Sequence, residues 1–418
     1  MLDIKFIREN KAEVEAGLLK RTTADKFDLD MIIALDDKRR VSIAQVETLQ
    51  AERNKASKTK PTPEVIAAMK KLGESLKTAE SELNSIEAKL MEKLSELPNL
   101  PAADVVAGGK ENNEVIFTYG KKPEFKFTPR DHVDLATSLG LIDYERAVKM
   151  SGAGFWCYKG LGALLEWALL SYFIDFHTKN GYQFLIPPFL LTEKSAYTSG
   201  HLPKFRDDLF WTQDALCLNA TSEMMLGNYH REEILDDAIL PLKYFAYSPC
   251  FRREAGSYRQ EERGMIRGHQ FNKIEMFAFC RPEESWAIFD ELIDNAKALV
   301  QGLGLHFQLS KLAAGDCSAA MAKTCDLEVY IPSMGIYKEV SSISNALEYQ
   351  ARRGQTRYKK AGGKNEFVHT LNASGLATSR ILPAILEQNQ QADGSVIIPE
   401  VLRKYLPQGL DRIKAPTR

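Results

Sequence analysis

Apolar residues recur between residues 65 and 97 at Val65, Met69, Leu72, Leu76, Ala79, Leu83, Ile86, Leu90, Leu94 and Leu97. Steps of four and three alternate almost without a break, which is the seam of a coiled coil held for several heptads. The spacing predicts one helix of about 33 residues, roughly 50 Å long at 1.5 Å per residue, which Pro98 ends. Residues 29–55 also carry a helical pattern, with a less regular seam at Leu29, Ile32, Leu35, Ile43, Val46 and Leu49. The two are joined by "SKTKPTP", residues 57–63. Helices joined by so short a turn run antiparallel, so residues 28–98 read as a helical hairpin. Its outer faces are Lys, Glu, Ser, Thr and Gln, with few large residues left over for a third layer, so it is expected to project into solvent. Three uses stay open on this pattern alone: a spacer, a dimerising coiled coil, or an arm that reaches a large partner.

Beyond the hairpin the pattern changes. Residues 99–130 are punctuated by Pro and Gly, and the boundary is drawn between an N-terminal domain of 1–105 and a second domain of 106–418. In the second domain, "GALLEWALLSYFIDFHTK" (162–179) reads as a helix with one wide apolar face. "YQFLIPPFLL" (182–191), "LKYFAYSPCF" (242–251), "KIEMFAFC" (273–280) and "CDLEVYIP" (325–332) read as strands. Many of these strands are separated by short loops, not by whole helices, which favours an α+β fold on a largely antiparallel sheet. There is no repeat of solenoid period, no G-x-x-x-x-G-K-[ST] loop, and "GLGLHF" near residue 302 lacks dinucleotide-binding glycine spacing. A nucleotide, if bound, is held without either Gly-rich loop.

Composition narrows the picture. With 418 residues, 44% hydrophobic and 27% charged, the chain is an ordinary globular one of more than one domain. A net charge of −1 excludes a globally basic nucleic-acid binder but not a local basic site. The six cysteines form no C-x-x-C pair and read as unpaired thiols in a reducing compartment. The N-terminus has no signal or transit pattern, and no stretch reaches the roughly 18 apolar residues of a membrane span. A cytoplasmic location, with no membrane partner, is expected.

The chemistry concentrates in "FRREAGSYRQEERGMIRGHQFNKIEMF", residues 251–277, which holds six Lys/Arg and four Glu between aromatic ends. At period two, Arg252 and Glu254 share a strand face, and so do Phe271, Lys273 and Glu275, with Ile274 and Met276 opposite. A solvated charged hairpin is one reading. A planar anionic ligand, stacked on Phe271 and held by ionic groups, is the other.

This stretch resembles motif 2 of the class II aminoacyl-tRNA synthetases, in the form of the bacterial-type seryl-tRNA synthetases: F-R-x-E-x-G-S, then R-G, then H-Q-F-x-K-x-E. Other segments fit the same family in order. "GYQFLIPPFLL" resembles the motif 1 dimer-interface strand, and "NATSEMML" the T-x-E loop. "YKEVSSISNALEYQARR" resembles the E-[IV]-S-S-x-S-N segment, and "HTLNASGLATSRILPAIL" resembles motif 3. The hairpin, with "LQAERNKASK" before its tip, is similar to the family's tRNA-binding arm. The resemblance covers essentially the whole chain.

It implies an ATP-dependent ligase that activates L-serine to seryl-adenylate and loads serine tRNA, extending to selenocysteine tRNA. The enzyme would be a cytoplasmic homodimer using Mg²⁺ and no zinc. Arg252 and Arg380 would be catalytic: Arg252 bridges the α-phosphate and the serine carboxylate with its bidentate fork, and Arg380 reaches the γ-phosphate and covers the adenine. ATP would also meet Arg253, Glu254, Phe271, Glu339, Val340, Ser341 and Ser342. Glu339 and Ser342 would hold Mg²⁺, as a hard cation completed by phosphate oxygens and water prefers. Serine would be read by Thr221, Ser222, Glu223, Arg252, Glu275 and Ser374, where groups built to pair its hydroxyl reject alanine. Lys55, Lys58 and Lys60 near the arm's tip are the expected tRNA contacts.

Three places depart from the family pattern. The motif 2 loop reads "SYRQEERG" where S-A-G-R-D-T-R-G is common, which adds Glu261 and Glu262 while keeping Arg263. Motif 3 has Ala373 and Ser379 where glycines are usual, and "TSE" stands for T-A-E. Two other readings remain beside the leading one: a paralog that loads a non-tRNA carrier, against which the long arm argues, and a non-catalytic tRNA-binding relative.

Overall fold

The computed structural model describes residues 1–58, 61–255, 264–360 and 362–415. The chain divides into two compact units, residues 1–100 and 101–418. Among the described residues no helix is long and apolar enough to cross a membrane, and all six cysteines are free.

In the first unit, two short helices, α1 (Ile4–Glu9) and α2 (Lys11–Leu19), lead into the hairpin of α3 (Leu29–Ala56) and α4 (Pro63–Glu96). The helix starts follow from capping chemistry. Asp28 accepts the Met31 N–H at 2.9 Å, Thr62 accepts the Val65 N–H at 3.3 Å, and Pro63 occupies the first turn, where its missing N–H costs nothing. All ten seam residues from Val65 to Leu97 are buried or half-buried, while off-seam Val41 and Ile66 are exposed. One polar group breaks the apolar rule. Asp36 of α3 is fully buried, and its carboxylate binds Arg39 at 3.1 Å and also Arg8 of α1. Two guanidinium groups on one carboxylate offset its desolvation and pin α1 to the hairpin.

The second unit is built on an eight-stranded sheet. In chain order its strands are β1 (Glu114–Tyr119), β2 (Gln183–Leu185), β3 (Leu242–Phe251), β4 (Gln270–Cys280), β5 (Phe307–Lys311), β6 (Lys323–Ile331), β7 (Ile336–Leu347) and β8 (His369–Ala377). In space the order is β1-β5-β6-β7-β8-β4-β3-β2, and every neighbouring pair is antiparallel except β2 with β3. The fold is therefore α+β on a mostly antiparallel sheet.

The main core lies between this sheet and three helices. α5 (Leu161–Lys179) contributes Leu165, Leu169 and Phe173; Ser285–Gly302 contributes Ile288, Leu292 and Leu299; Thr378–Gln388 contributes Ile381 and Ile385. Ile274, Met276 and Ala278 of β4 point into that core. On its other face, Phe277 and Phe279 fill a second apolar cluster. Phe271, Lys273 and Glu275 of the same face are left to line cavities.

The strand expected over 182–191 is two strands. Pro187 and Pro188 supply no N–H to a ladder, so β2 stops at Leu185. Leu190–Thr192 instead pairs with Leu216–Leu218 in a separate ribbon. β3 likewise stops at Phe251, so Arg252 and Glu254 are not strand residues, and Glu254 adopts a left-handed φ of 52°. Bulges interrupt four ladders of the central sheet: β1–β5 near Ile116, β6–β7 at Val340, β7–β8 near Ala346, and β8–β4 between Ser374 and Ala377.

Candidate active site

Two of these bulges set the site. Glu339 and Ser342 stand three apart on β7 and would face opposite sides of an unbroken strand. The extra residue Val340 turns both to one side, where both line the same cavity. Opposite Ser342 and Glu339 in register stand Asp326 and Glu328 of β6. The bulge in β8 does the same for Ser374 and Ala377, which pair with Glu275 and Lys273. It is braced from α5. His177 Nε2 lies 3.3 Å from the Gly375 carbonyl, and a Cβ on residue 375 would come within 2.3 Å of that nitrogen. Only glycine fits there.

Two adjoining cavities result, and they share Arg252, Lys273, Glu339 and Ser374. One, of about 140 Å³, is lined by Thr221, Glu223, Glu275, Ser342 and Asn372 besides the shared residues. Its polar groups are interlocked. Lys273 Nζ lies 2.5 Å from Glu275 Oε2 and donates to Thr221 Oγ1 at 2.7 Å, and Asn372 Nδ2 donates to Glu275 Oε1 at 3.0 Å. Gln350 Nε2 donates to Glu223 Oε1 at 2.7 Å, while its own carbonyl accepts from Thr370 Oγ1 at 2.7 Å. Burial, and then the neighbouring Glu275 carboxylate, push the Glu223 carboxyl up to about 7. A cation entering this cavity would meet Glu223, Glu275 and Glu339 against Lys273 and Arg252, an excess of one carboxylate that suits an ammonium group.

The second cavity is lined by Glu254, Gly268, Phe271, Val340, Ser379 and Arg380 besides the shared residues. The Arg252 guanidinium sits 5.1 Å from the Phe271 ring centroid and its Nε donates to the Ala220 carbonyl at 3.3 Å. Arg380 Nη1 donates to the Glu339 carbonyl at 2.7 Å and lies 3.5 Å from the Glu339 carboxylate. Arg267 Nε donates to Glu254 Oε2 at 2.7 Å. The cavity thus presents an aromatic face between guanidinium groups, which suits a planar base carrying phosphates.

Of the residues predicted from the sequence, Arg252, Glu254, Phe271, Glu339, Val340 and Arg380 line the second cavity. Thr221, Glu223, Glu275, Ser342 and Ser374 line the 140 Å³ one. Three others lie outside these linings. Ser222 is fully buried, with its hydroxyl 2.7 Å from Ser248 Oγ on β3. Ser341 faces the core side, and its hydroxyl donates at 2.6 Å to the Ser374 carbonyl at the bulge. Arg253 is exposed, and its backbone N–H donates to the Asp208 carbonyl at 2.9 Å. Lys55 and Lys58 are exposed at the end of α3; Lys60 and the loop with Glu261, Glu262 and Arg263 lie outside the described residues.

Sequence reasoning missed several supports. Lys273 was visible only as one more charge on a strand face. Gln350, Asn372 and His201 had no pattern of their own. Glu166 of α5, buried and pushed up to about 7 by desolvation, accepts from Asn272 Nδ2 at 2.8 Å and from Thr378 Oγ1 at 2.6 Å. It therefore braces the residue between Phe271 and Lys273 together with the start of the Arg380 helix. Its only signal was an acid inside an apolar helix face.

Comparisons with known proteins agree with this geometry. Residues 1–101 match the family model "Seryl-tRNA synthetase N-terminal domain", and residues 205–389 match "tRNA synthetase class II core domain (G, H, P, S and T)". The chain is 52% identical over 429 aligned positions to serine–tRNA ligase 2 of Clostridium acetobutylicum, covering 99% of this chain and 100% of that one. It is 46% identical over 419 positions to the serine–tRNA ligase of Petrotoga mobilis, covering 97% and 99%. Among solved structures it is similar to the seryl-tRNA synthetase of Pyrococcus horikoshii complexed with ATP, with a TM-score of 0.92, 34% identity and full coverage of both chains.

Proposed function

The chain belongs to the seryl-tRNA synthetase family of class II and is an ATP-dependent serine–tRNA ligase; from that premise we propose that serine occupies the 140 Å³ cavity and ATP the cavity beside it. The observation that carries this assignment is Arg252, which stands in the shared wall. A carboxylate from one side and an α-phosphate from the other both reach its guanidinium.

In this reading Glu223 and Glu275 hold the serine ammonium, and Glu275 also pairs the hydroxyl. Thr221 and Ser374 close the small pocket, with Ser222 fixing the loop from behind. Arg252 neutralises the two anions that must approach each other, so the serine carboxylate oxygen can attack the α-phosphorus in line as pyrophosphate leaves. Phe271 stacks the adenine, Glu254 accepts from its amino group, and Arg380 meets the γ-phosphate, with Arg253, Val340 and Ser341 holding the surrounding backbone.

The donor set fits Mg²⁺ at Glu339 and Ser342. Asp326 Oδ1 is buried without a hydrogen-bond partner across from Ser342, and burial beside Glu339 raises that carboxyl well above its usual range. Among the described residues no group of three or more His, Cys, Asp or Glu could hold an ion, so phosphate oxygens would complete the shell. A bound Mg²⁺ would neutralise charge developing on the phosphates.

The remaining parts of the proposal concern partners. The hairpin α3–α4, with Lys55, Lys58 and Lys60 toward its tip, contacts the tRNA backbone; selenocysteine tRNA is a second acceptor. A second copy covers Trp167, 57% exposed on α5, and Ile186, 71% exposed just past edge strand β2. The N-terminal domain of 1–105 and the catalytic domain of 106–418 act together in the cytoplasm.

Amino-acid-dependent ATP–pyrophosphate exchange across the twenty amino acids, followed by charging of serine tRNA, tests the assignment. Exchange with serine that collapses in Glu275→Ala is expected. Serine-dependent exchange surviving that change would place serine elsewhere.

A further inference from the structure

His201 is fixed in a wall common to the 140 Å³ cavity and a neighbouring one, by a local motif that dictates its orientation. The helix Glu193–Thr198 ends in a Schellman turn. Gly200, at φ 88°, donates its N–H to the Tyr197 carbonyl at 3.1 Å, and His201 donates its N–H to the Ala196 carbonyl at 3.0 Å. A Cβ on residue 200 would lie 2.7 Å from the Ala320 methyl, so the turn requires glycine.

The ring's tautomer follows from hydrogen-bond counting. Ser199 Oγ has one proton and donates it to the Ala196 carbonyl at 3.1 Å. The same oxygen lies 3.0 Å from His201 Nδ1, and the assignment that satisfies both Ser199 contacts at once has it accept there. Nδ1 carries the hydrogen, and Nε2, on the far edge of the ring, is left as an acceptor. The ring lines the proposed serine cavity, and it also lines the neighbouring cavity with Phe205, Asp208, Ala220 and Arg252.

Established chemistry leaves one acceptor unassigned at this junction. Transfer requires a terminal ribose hydroxyl of the tRNA to lose its proton as it attacks the adenylate. Resting on the reading of the 140 Å³ cavity as the serine site, we propose that His201 Nε2 takes that proton, with the terminal nucleoside of the tRNA seated in the neighbouring cavity. The hydroxyl oxygen bonds to the serine carbonyl carbon while its proton passes to Nε2. The bond from that carbon to the phosphate oxygen then breaks, its electron pair leaves with AMP, and the imidazolium returns its proton to the AMP phosphate or to water.

Burial and the charges of Arg252, Lys273 and Arg353 hold the His201 ring down at about 3 in the ligand-free enzyme. Glu223 and Glu275 face it from the serine cavity and Asp208 from the other. An adenylate phosphate on Arg252 would offset the cationic field and return basicity to the ring when transfer begins. The base would thus be weak during activation and stronger afterwards.

Single-turnover transfer from enzyme-bound seryl-adenylate to serine tRNA, followed from pH 5.5 to 8.5 beside pyrophosphate exchange, tests this in wild type, His201→Gln and His201→Ala. Gln keeps an acceptor but cannot take a proton. Both variants are expected to slow transfer about 100-fold, the lower end of general-base effects, to lower exchange less than tenfold, and to lose the acidic limb of the transfer profile. Wild-type transfer rates in His201→Gln, a retained acidic limb, or an equal fall in transfer and exchange would each overturn the proposal. Failure of the cavity assignment itself reads out separately, as serine exchange that survives Glu275→Ala.

Discussion

Replacing Lys273 with Met is the sharpest test of how the serine pocket is held. Lys273 is 5% exposed and its amine lies 2.5 Å from the Glu275 carboxylate, itself 1% exposed. Removing the cation leaves a buried carboxylate with Asn372 at 3.0 Å as its remaining donor. Breaking a buried pair in this way costs about 3–5 kcal/mol, and the pocket loses the amine that fixes Glu275 where it would meet the serine ammonium. Serine-dependent kcat/KM in pyrophosphate exchange should then fall about 100-fold or more, as losing some 3 kcal/mol of charged contact implies. Denaturant titration of Lys273→Met, Glu275→Gln and the double variant isolates the pair. The double variant should be more stable than Lys273→Met, because it removes the orphaned charge, yet remain inactive. Strictly additive stabilities, or a double variant less stable than Lys273→Met, would refute the buried-pair account.

Three other outcomes follow from the same geometry. Glu223 is held near 7 against an ordinary 4.5, so its anionic form, which an ammonium needs, grows in as pH rises. The KM for serine should fall between pH 6 and about 7.5 in wild type and stay flat in Glu223→Gln. The sign for stability is opposite: a raised carboxyl favours the protonated fold, so this group's contribution is present below about 4.5 and lost as pH climbs through about 7. Trp167→Glu with Ile186→Asp should convert a dimer to monomers by sedimentation, and an unchanged mass would remove these residues from consideration. Deleting residues 28–98 should spare exchange and abolish charging of serine tRNA, whereas loss of both would make the hairpin structural.

What could be read in the chain depended on whether the signal was periodic. The α4 seam was legible from Val65 to Leu97 because a side-chain repeat near 3.5 survives every turn of a straight helix. The alternation of Phe271, Lys273 and Glu275 was legible for the same reason at period two. Bulges defeat that reading. Val340 adds one residue to β7 and brings Glu339 to the side of Ser342, and residues between Ser374 and Ala377 do so on β8; no side-chain pattern marks an extra backbone unit. Resemblance carried those residues into the site where spacing would have separated them. Buried charge was equally hidden. Asp36 sits in an ordinary helical stretch, and nothing nearby in sequence announces Arg8, its partner 28 residues away. The break at Pro187 and Pro188 was available in principle, since neither can donate to a ladder.

The places where this chain departs from its family pattern fall on particular surfaces, and the structure separates their consequences. Ala373 is fully buried among Ile343, Met276 and the rest of the main core, so its methyl is absorbed by packing and not by a ligand. Ser222 turns its hydroxyl to Ser248, away from the cavity, and alanine there would leave Thr221 and Glu223 in place. Ser379 differs from both: it lines the cavity beside Arg380 and Phe271, where a side chain in place of a hydrogen narrows the approach to a nucleotide. The pocket assigned to serine is built from Thr221, Glu223, Lys273, Glu275 and Asn372, a closed set of mutual hydrogen bonds and charges in which one substitution strands another group. The nucleotide wall has no such closure at residue 379, since a hydroxyl there can turn toward solvent or phosphate. A change at residue 379 therefore displaces one contact, whereas a change among the serine-pocket residues would leave a buried charge unpaired.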